Sequence, residues 1–210
     1  MTKKTMRSLA IVAAKGGCSK STTVVHLAVE AARSGERVLV LDCDPQRSCV
    51  TWAGLRDREH PTVEGIEPSA VPQRLERAAS EGFSYVFVDT APRATGALAS
   101  LLREVNFVLV PMRPSAFDVA TMQQSLAIVA ASETAGAIVL SACPPRVLEI
   151  EEMRVALANL SLPLCPVEIG ERTAFRRAIA SGRAVAEFDP RGKAADEITK
   201  LWAFVQKGMQ

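Results

Sequence analysis

Five short apolar stretches limit what this chain can fold into: residues 9–12, 37–42, 85–89, 107–110 and 137–140. They are rich in β-branched and large aliphatic side chains and lack the alternation of a half-exposed strand. A strand that is apolar on both sides has both faces covered, which points to a mainly parallel sheet. Between these runs the spacing turns helical, at 72–81, 94–103, 117–131 and 149–159. Strand–helix alternation of this kind predicts a doubly wound α/β fold, with helices on both faces of the sheet. The chain's 210 residues suit one such domain over 1–210, and 48% hydrophobic with 23% charged content is ordinary for a soluble globular protein. Ligands in these folds collect outside the carboxyl ends of the strands.

The first run leads directly into Ala13-Ala14-Lys15-Gly16-Gly17-Cys18-Ser19-Lys20-Ser21-Thr22-Thr23, after which Val24-Val25-His26-Leu27-Ala28-Val29 continues at helical spacing. Strand, glycine-bearing turn and helix form the layout of a phosphate-binding loop. Successive backbone N–H groups in a tight turn make an anion-binding concavity, and the positive end of the helix dipole adds to it. Lys20 then places a point charge on the β- and γ-phosphates, and Ser21 offers a hydroxyl to Mg²⁺. The strict pattern G-x-x-x-x-G-K-[ST] is not met, because its glycine positions hold Ala14 and Ser19.

Two further runs end in carboxylates. Asp42-Cys43-Asp44-Pro45-Gln46 follows the second run, and Val86-Phe87-Val88-Asp89-Thr90-Ala91-Pro92 closes the third. Two carboxylates one residue apart at a strand end can both face a Mg²⁺–phosphate site, while Pro45 turns the chain. An apolar strand ending in Asp89 has the form of a Walker B element, whose carboxylate holds a Mg²⁺-bound water.

With its internal Lys15-Gly16-Gly17, the loop resembles that of the ParA/MinD family of P-loop ATPases, which reads K-G-G-x-G-K-[ST]. D-x-D-P-Q and an apolar strand followed by D-[TC]-[AP]-P are also elements of that family, and the three occur here in its order. The resemblance implies a single-domain P-loop NTPase fold, ATP and ADP as ligands, and Mg²⁺. It implies nucleotide contacts over Lys15, Gly16, Gly17, Cys18, Ser19, Lys20, Ser21 and Thr22. Lys15 would reach the nucleotide of a partner subunit in an ATP-bound homodimer. Lys15, Lys20 and Asp44 would be catalytic, Asp44 by orienting the attacking water. Ser21, Asp42 and Asp89 would serve the metal. The segment Val110-Pro111-Met112-Arg113-Pro114-Ser115 resembles the family's proline-containing stretch ahead of dimer-facing helices, and Ser141-Ala142-Cys143-Pro144-Pro145-Arg146 falls where relatives place the adenine loop. Ser19 stands where the family has glycine. Its hydroxyl makes a compensating contact or the site binds weakly, so a non-hydrolysing nucleotide-dependent switch or DNA-binding adaptor is the alternative to an active ATPase.

The carboxyl-terminal part is locally basic although the net charge is only +2. Ala174, Phe175, Ala178 and Ile179 form a stripe at helical spacing, with Arg172, Arg176 and Arg177 off it and Arg183 just beyond Gly182. These arginines are either a solvated face or a phosphate-contacting patch for duplex DNA without sequence preference. The segment resembles small ParA proteins, whose basic residues bind nucleoid DNA as a dimer, and this implies a cytoplasmic, nucleoid-associated protein with a ParB-like or other ATPase-stimulating adaptor. About a dozen residues precede the loop, so an operator-reading helix-turn-helix domain is not expected. The last segment, 201–210, has little basic character on its polar face, so stable membrane attachment is not expected. Five cysteines without a C-x-x-C pair argue against disulfides, zinc and iron–sulfur clusters. His26 reads as a packed or surface helix residue, and Trp52 and Trp202 as partly buried helix residues.

Overall fold

Each continuous apolar run is a strand, and each helical spacing that the structure describes is a helix. The computed structural model describes residues 5–13, 15–92, 96–145, 153–155, 157 and 160–210. The five expected strands are β1 (Arg7–Ile11), β2 (Val38–Asp42), β4 (Tyr85–Asp89), β5 (Phe107–Met112) and β6 (Gly136–Cys143). Two more, β3 (Thr62–Gly65) and β7 (Leu164–Gly170), complete a seven-stranded sheet in the order β3-β2-β4-β1-β5-β6-β7. Every pairing is parallel. Both added strands are edges, where one neighbour is missing and cover is thinner, so their sequences are less apolar. Pro166 lies in β7, an edge position that tolerates the lost donor.

The absence of alternation has its expected cause. Leu9 and Ile11 of β1, Val38 and Val40 of β2 and Phe87 of β4 face one core, with Leu27 of helix α1 (Lys20–Arg33) and Trp202 of the last helix. The intervening Ala10, Leu39, Leu41, Val86 and Val88 face a second core on the opposite side. That side is covered by α3 (Val71–Ser80), α4 (Gly96–Arg103) and α5 (Ala116–Ser132), through Leu75, Leu102 and Leu126. These three helices lie within a residue or two of their expected positions, whereas the helix expected at 149–159 falls mostly outside the described residues.

On the first face, α2 (Ser48–Gly54), α6 (Thr173–Ala180), α7 (Val185–Phe188) and α8 (Lys193–Gly208) join α1. Trp52 and Trp202 are fully buried in this core rather than partly buried as their helical settings suggested. Among the described residues, all five cysteines are free thiols and buried.

β1 sits between β4 and β5, so the chain winds to opposite sides on leaving its two flanks. In open α/β sheets the crevice at such a switch point is the ordinary ligand position. The turn following β1 opens into that crevice.

Candidate functional site

The loop between β1 and α1 is built on two left-handed residues. Gly17 has φ +80°, which glycine adopts without steric cost. Ser19, the N-cap of α1, has φ 65° and ψ 22° and makes no side-chain capping bond. A left-handed conformation costs an L-residue on the order of 1 kcal/mol, and Ser19 carries it where the family has glycine. The turn is held from the helix side: the Thr23 amide and the Thr23 hydroxyl both donate to the Ser19 carbonyl at 2.8 Å. At Gly16 and Gly17 nothing lies within 4 Å of where a Cβ would stand, so the loop's backbone faces open space. Lys20 is only 6% exposed. With Gly16, Gly17, Ser21, Asp44 and Gln46 it lines a cavity of about 390 Å³.

The sheet register brings Asp42 and Asp89 together at strand ends beside the loop, and Asp44 lies on the cavity wall. Asp42 pairs with Asp89 across β2 and β4, and Asp89 pairs with Ile11 across β4 and β1. Asp44 is buried at the cavity wall, and its Oδ1 accepts the Gln46 amide at 2.9 Å in a side-chain turn. Asp42 plays a more structural part. Its Oδ2 accepts the Cys49 and Val50 amides at 3.0 and 3.1 Å, and its Oδ1 accepts the Asp44 amide at 3.2 Å. It thereby satisfies the start of α2, with Arg47 in a left-handed conformation and its guanidinium on the carbonyls of Asp42 and Ile66. Burial raises the Asp42 pKa, and these amides oppose the rise.

Asp89 is the least satisfied of the three. Burial pushes its carboxyl up to about 6, opposed by hydrogen bonds from the Ser21 hydroxyl and the Cys49 thiol, while neighbouring Asp42 adds to the rise. Its Oδ2 accepts the Cys49 thiol at 3.3 Å. Its Oδ1 is buried with no hydrogen-bond partner among the described residues. A buried carboxylate oxygen without a donor fits a site completed by a ligand or cation. Among the described residues there is no cluster of three or more His, Cys, Asp or Glu side chains able to hold a metal alone. A hard oxygen donor such as the Asp89 carboxylate fits Mg²⁺, which is commonly held by one or two carboxylates plus substrate phosphates and water.

Residues 9–185 match the family described as the CobQ/CobB/MinD/ParA nucleotide binding domain. The chain belongs to this family. It is 32% identical over 198 residues to the maintenance of carboxysome distribution protein A of Gloeobacter kilaueensis, covering 91% of this chain and 88% of that one. It is 29% identical over 180 residues to the protein ParA of Rhizobium radiobacter, covering 81% of each. Among solved structures, MinD of Pyrococcus horikoshii with Mg-ADP superposes with a TM-score of 0.77 at 18% identity, covering 96% of both chains. The fold is thus the P-loop NTPase fold of MinD and ParA, as the motifs implied.

A second cavity of about 320 Å³ adjoins the loop of this CobQ/MinD/ParA domain on the β6–β7 side. Gly17, Ser19 and Thr22 form its near wall, and Ala142, Gly170 and Phe175 are part of the far one. The segment 141–146 singled out as an adenine loop begins within β6, where Ala142 lines the cavity, while Arg146 lies outside the described residues. His26 also lines it but is fully buried and structural: its Nδ1 accepts the Val185 amide at 3.1 Å, which leaves the proton on Nε2, and burial drives its pKa down to about 3.

The four arginines have different settings. Arg172 is tied to Glu197, its Nε donating at 2.9 Å, and Glu197 also accepts the Gly170 amide at 3.1 Å. Arg176 and Arg177 are exposed on α6, the latter stacked over Phe188 at 5.6 Å. Arg183 is exposed, and its carbonyl accepts the Trp52 indole N–H at 3.3 Å. That contact belongs to a junction absent from any sequence motif. Arg56, just after α2, bonds both oxygens of Glu187 at 2.9 and 3.0 Å with side chains only 2% and 4% exposed. It also donates to the Gly182 carbonyl at 2.9 Å and stacks over Trp52.

Proposed function

We propose that this chain is a ParA-type positioning ATPase. It binds ATP with Mg²⁺, pairs with a second copy through Lys15, associates with duplex DNA without sequence preference, and hydrolyses ATP slowly. A ParB-like or other adaptor stimulates the hydrolysis, and the cycle segregates plasmid or chromosomal DNA or positions a protein assembly on the nucleoid. The observation that carries this reading is the convergence of buried Lys20, Asp44 and Asp89 with Ser21 at the carboxyl ends of β1, β2 and β4, beside an open glycine turn. The chain reads as a single domain.

In this reading Lys20 and the amides around Gly16 and Gly17 hold the phosphates, and Lys15, exposed at the start of the loop, reaches the nucleotide of the second copy. Ser21 and Asp89 present oxygen to the cation, which when bound neutralises charge developing on the phosphoryl oxygens. Asp44 orients water from the cavity wall. Asp42 is occupied with three backbone amides, so its support for the metal shell is indirect, through the position of Asp44 and α2. The second cavity, beyond Thr22, has room for a base. Both kinds of cargo have support, since relatives spanning most of the chain are named for carboxysome distribution and for ParA. Among the described residues no helix is long and apolar enough to cross a membrane.

Ser19 in the left-handed region favours the second reading, a nucleotide-dependent switch or DNA-binding adaptor that does not hydrolyse. ATP turnover by the purified chain, with and without duplex DNA, separates the two. Slow turnover lost in both Lys20→Ala and Asp44→Ala supports the ATPase. Binding of ATP with no turnover, even with DNA and the product of the adjacent gene, leaves the switch.

A further inference from the structure

Cys49 reaches both acidic strand ends and the loop helix. Its backbone N–H donates to Asp42 Oδ2 at 3.0 Å, its thiol donates to Asp89 Oδ2 at 3.3 Å, and its sulfur lies 4.0 Å from the Ser21 carbonyl oxygen. The side chain is fully buried. On Asp89 the other oxygen, Oδ1, is buried and has no hydrogen-bond partner among the described residues. The last torsion of an aspartate is broad and nearly two-fold, so the strand alone does not decide which carboxylate oxygen faces the crevice. We propose that Cys49 is a positioning residue for Asp89, its thiol holding Oδ2 so that Oδ1 is the oxygen presented to the cation shell.

This rests on the nucleotide-binding reading above and adds a residue to it. The Ser21 hydroxyl also bears on Asp89, but in that reading it turns to the cation, whereas the thiol's other acceptor, the Ser21 carbonyl at 4.0 Å, is farther than Asp89 Oδ2 at 3.3 Å. A thiol is a weak donor, suited to orienting a carboxylate without neutralising it. Its placement follows from α2: because Asp42 fixes the amides of Cys49 and Val50, the side chain of Cys49 is delivered to the neighbouring strand end.

The test is Mg²⁺ titration of binding of a fluorescent ADP analogue, with thermal unfolding of the apo protein beside it. Cys49→Ala removes the donor, Cys49→Val removes it at similar volume, and Cys49→Ser keeps it. The two non-donors are expected to raise the Mg²⁺ midpoint about three- to tenfold, as loss of a weak hydrogen bond to a charged group would, with metal-free nucleotide affinity little changed. Cys49→Ser should stay within about twofold of the parent. Midpoints unchanged in both Ala and Val variants overturn the proposal, and so does a Ser midpoint shifted as far as Ala, which would make the role one of packing. If the parent chain itself shows no Mg²⁺-dependent nucleotide binding, the nucleotide reading fails and the proposal goes with it.

Discussion

Asp42 and Asp89 stand opposite each other at the ends of adjacent parallel strands, yet they are treated differently by their surroundings. Asp42 is saturated by the amides of Asp44, Cys49 and Val50, while Asp89 keeps one buried oxygen without a donor among the described residues. The first organises the start of α2, and in the nucleotide-binding reading proposed above the second serves the cation.

The raised pKa of Asp89 makes apo stability depend on pH. The folded carboxyl titrates at about 6, above its ordinary value of 3.8, so the native state binds more protons than the unfolded chain between these values. Its contribution is most favourable below pH 4 and is lost as pH rises through about 6. Asp89→Asn should therefore stabilise the apo protein at pH 7 to 8, by up to about 3 kcal/mol, with the gain shrinking toward pH 4. Chemical denaturation across that range checks it, and a gain independent of pH would contradict the assignment.

Ser19→Gly should relieve the left-handed N-cap of α1. We expect a stability gain of at most about 0.5 kcal/mol, the roughly 1 kcal/mol of strain removed less the roughly 0.5–1 kcal/mol for the greater freedom of unfolded glycine. Tighter nucleotide binding should accompany it if the serine holds the loop off its ligand. Isothermal titration with ADP and Mg²⁺ would show this, and a loss of affinity would instead assign the Ser19 hydroxyl a contact with the nucleotide.

Breaking the buried Arg56–Glu187 pair should be among the most damaging substitutions outside the site. Glu187→Gln leaves the Arg56 charge buried without its carboxylate and is expected to cost about 3–5 kcal/mol, whereas Arg56→Met leaves Glu187 paired with Arg58 at 3.3 Å and should cost less. The double variant should lose much less than the sum of the two, a coupling that equilibrium unfolding of all four proteins measures.

The arginines of the basic segment should separate in a salt titration of DNA binding. Arg176→Ala, Arg177→Ala and Arg183→Ala should each flatten the slope of log affinity against log salt by about 1. Arg172→Ala should change the slope less and lower the melting temperature instead, because its side chain is held by Glu197. Equal slope changes for all four would mean that the Glu197 pair opens on DNA.

The central strands and the acidic strand ends were legible because their signals are local. A run apolar on both sides, a glycine turn ahead of a helix and an aspartate at a strand's last residue are each contained in a few residues. The edge strands β3 and β7 were not, since with one neighbour missing their side chains are mixed. Cys49 was invisible for another reason: nothing about a cysteine after Gln46-Arg47-Ser48 announces a bond to a carboxylate forty residues on. Glu187 likewise looked like one charge among several near the basic segment, and only the fold joins it to Arg56 across 131 residues. Sequence also suggested equivalent roles for Asp42 and Asp89 at the metal, whereas their different hydrogen bonding depends on where α2 begins.

Helix α2 has only seven residues and is fastened at both ends, to Asp42 by its first amides and to the turn at Gly182 and Arg183 through Trp52 and Arg56. Its length is therefore a gauge between the acidic strand end and the basic loop. One residue added or removed would swing the far anchors by about 100° relative to the near ones, and both sets of bonds could not then be made. Surface loops usually absorb insertions, but this segment cannot, so the spacing from Asp42 to Arg56 is as much a part of the site as the residues themselves.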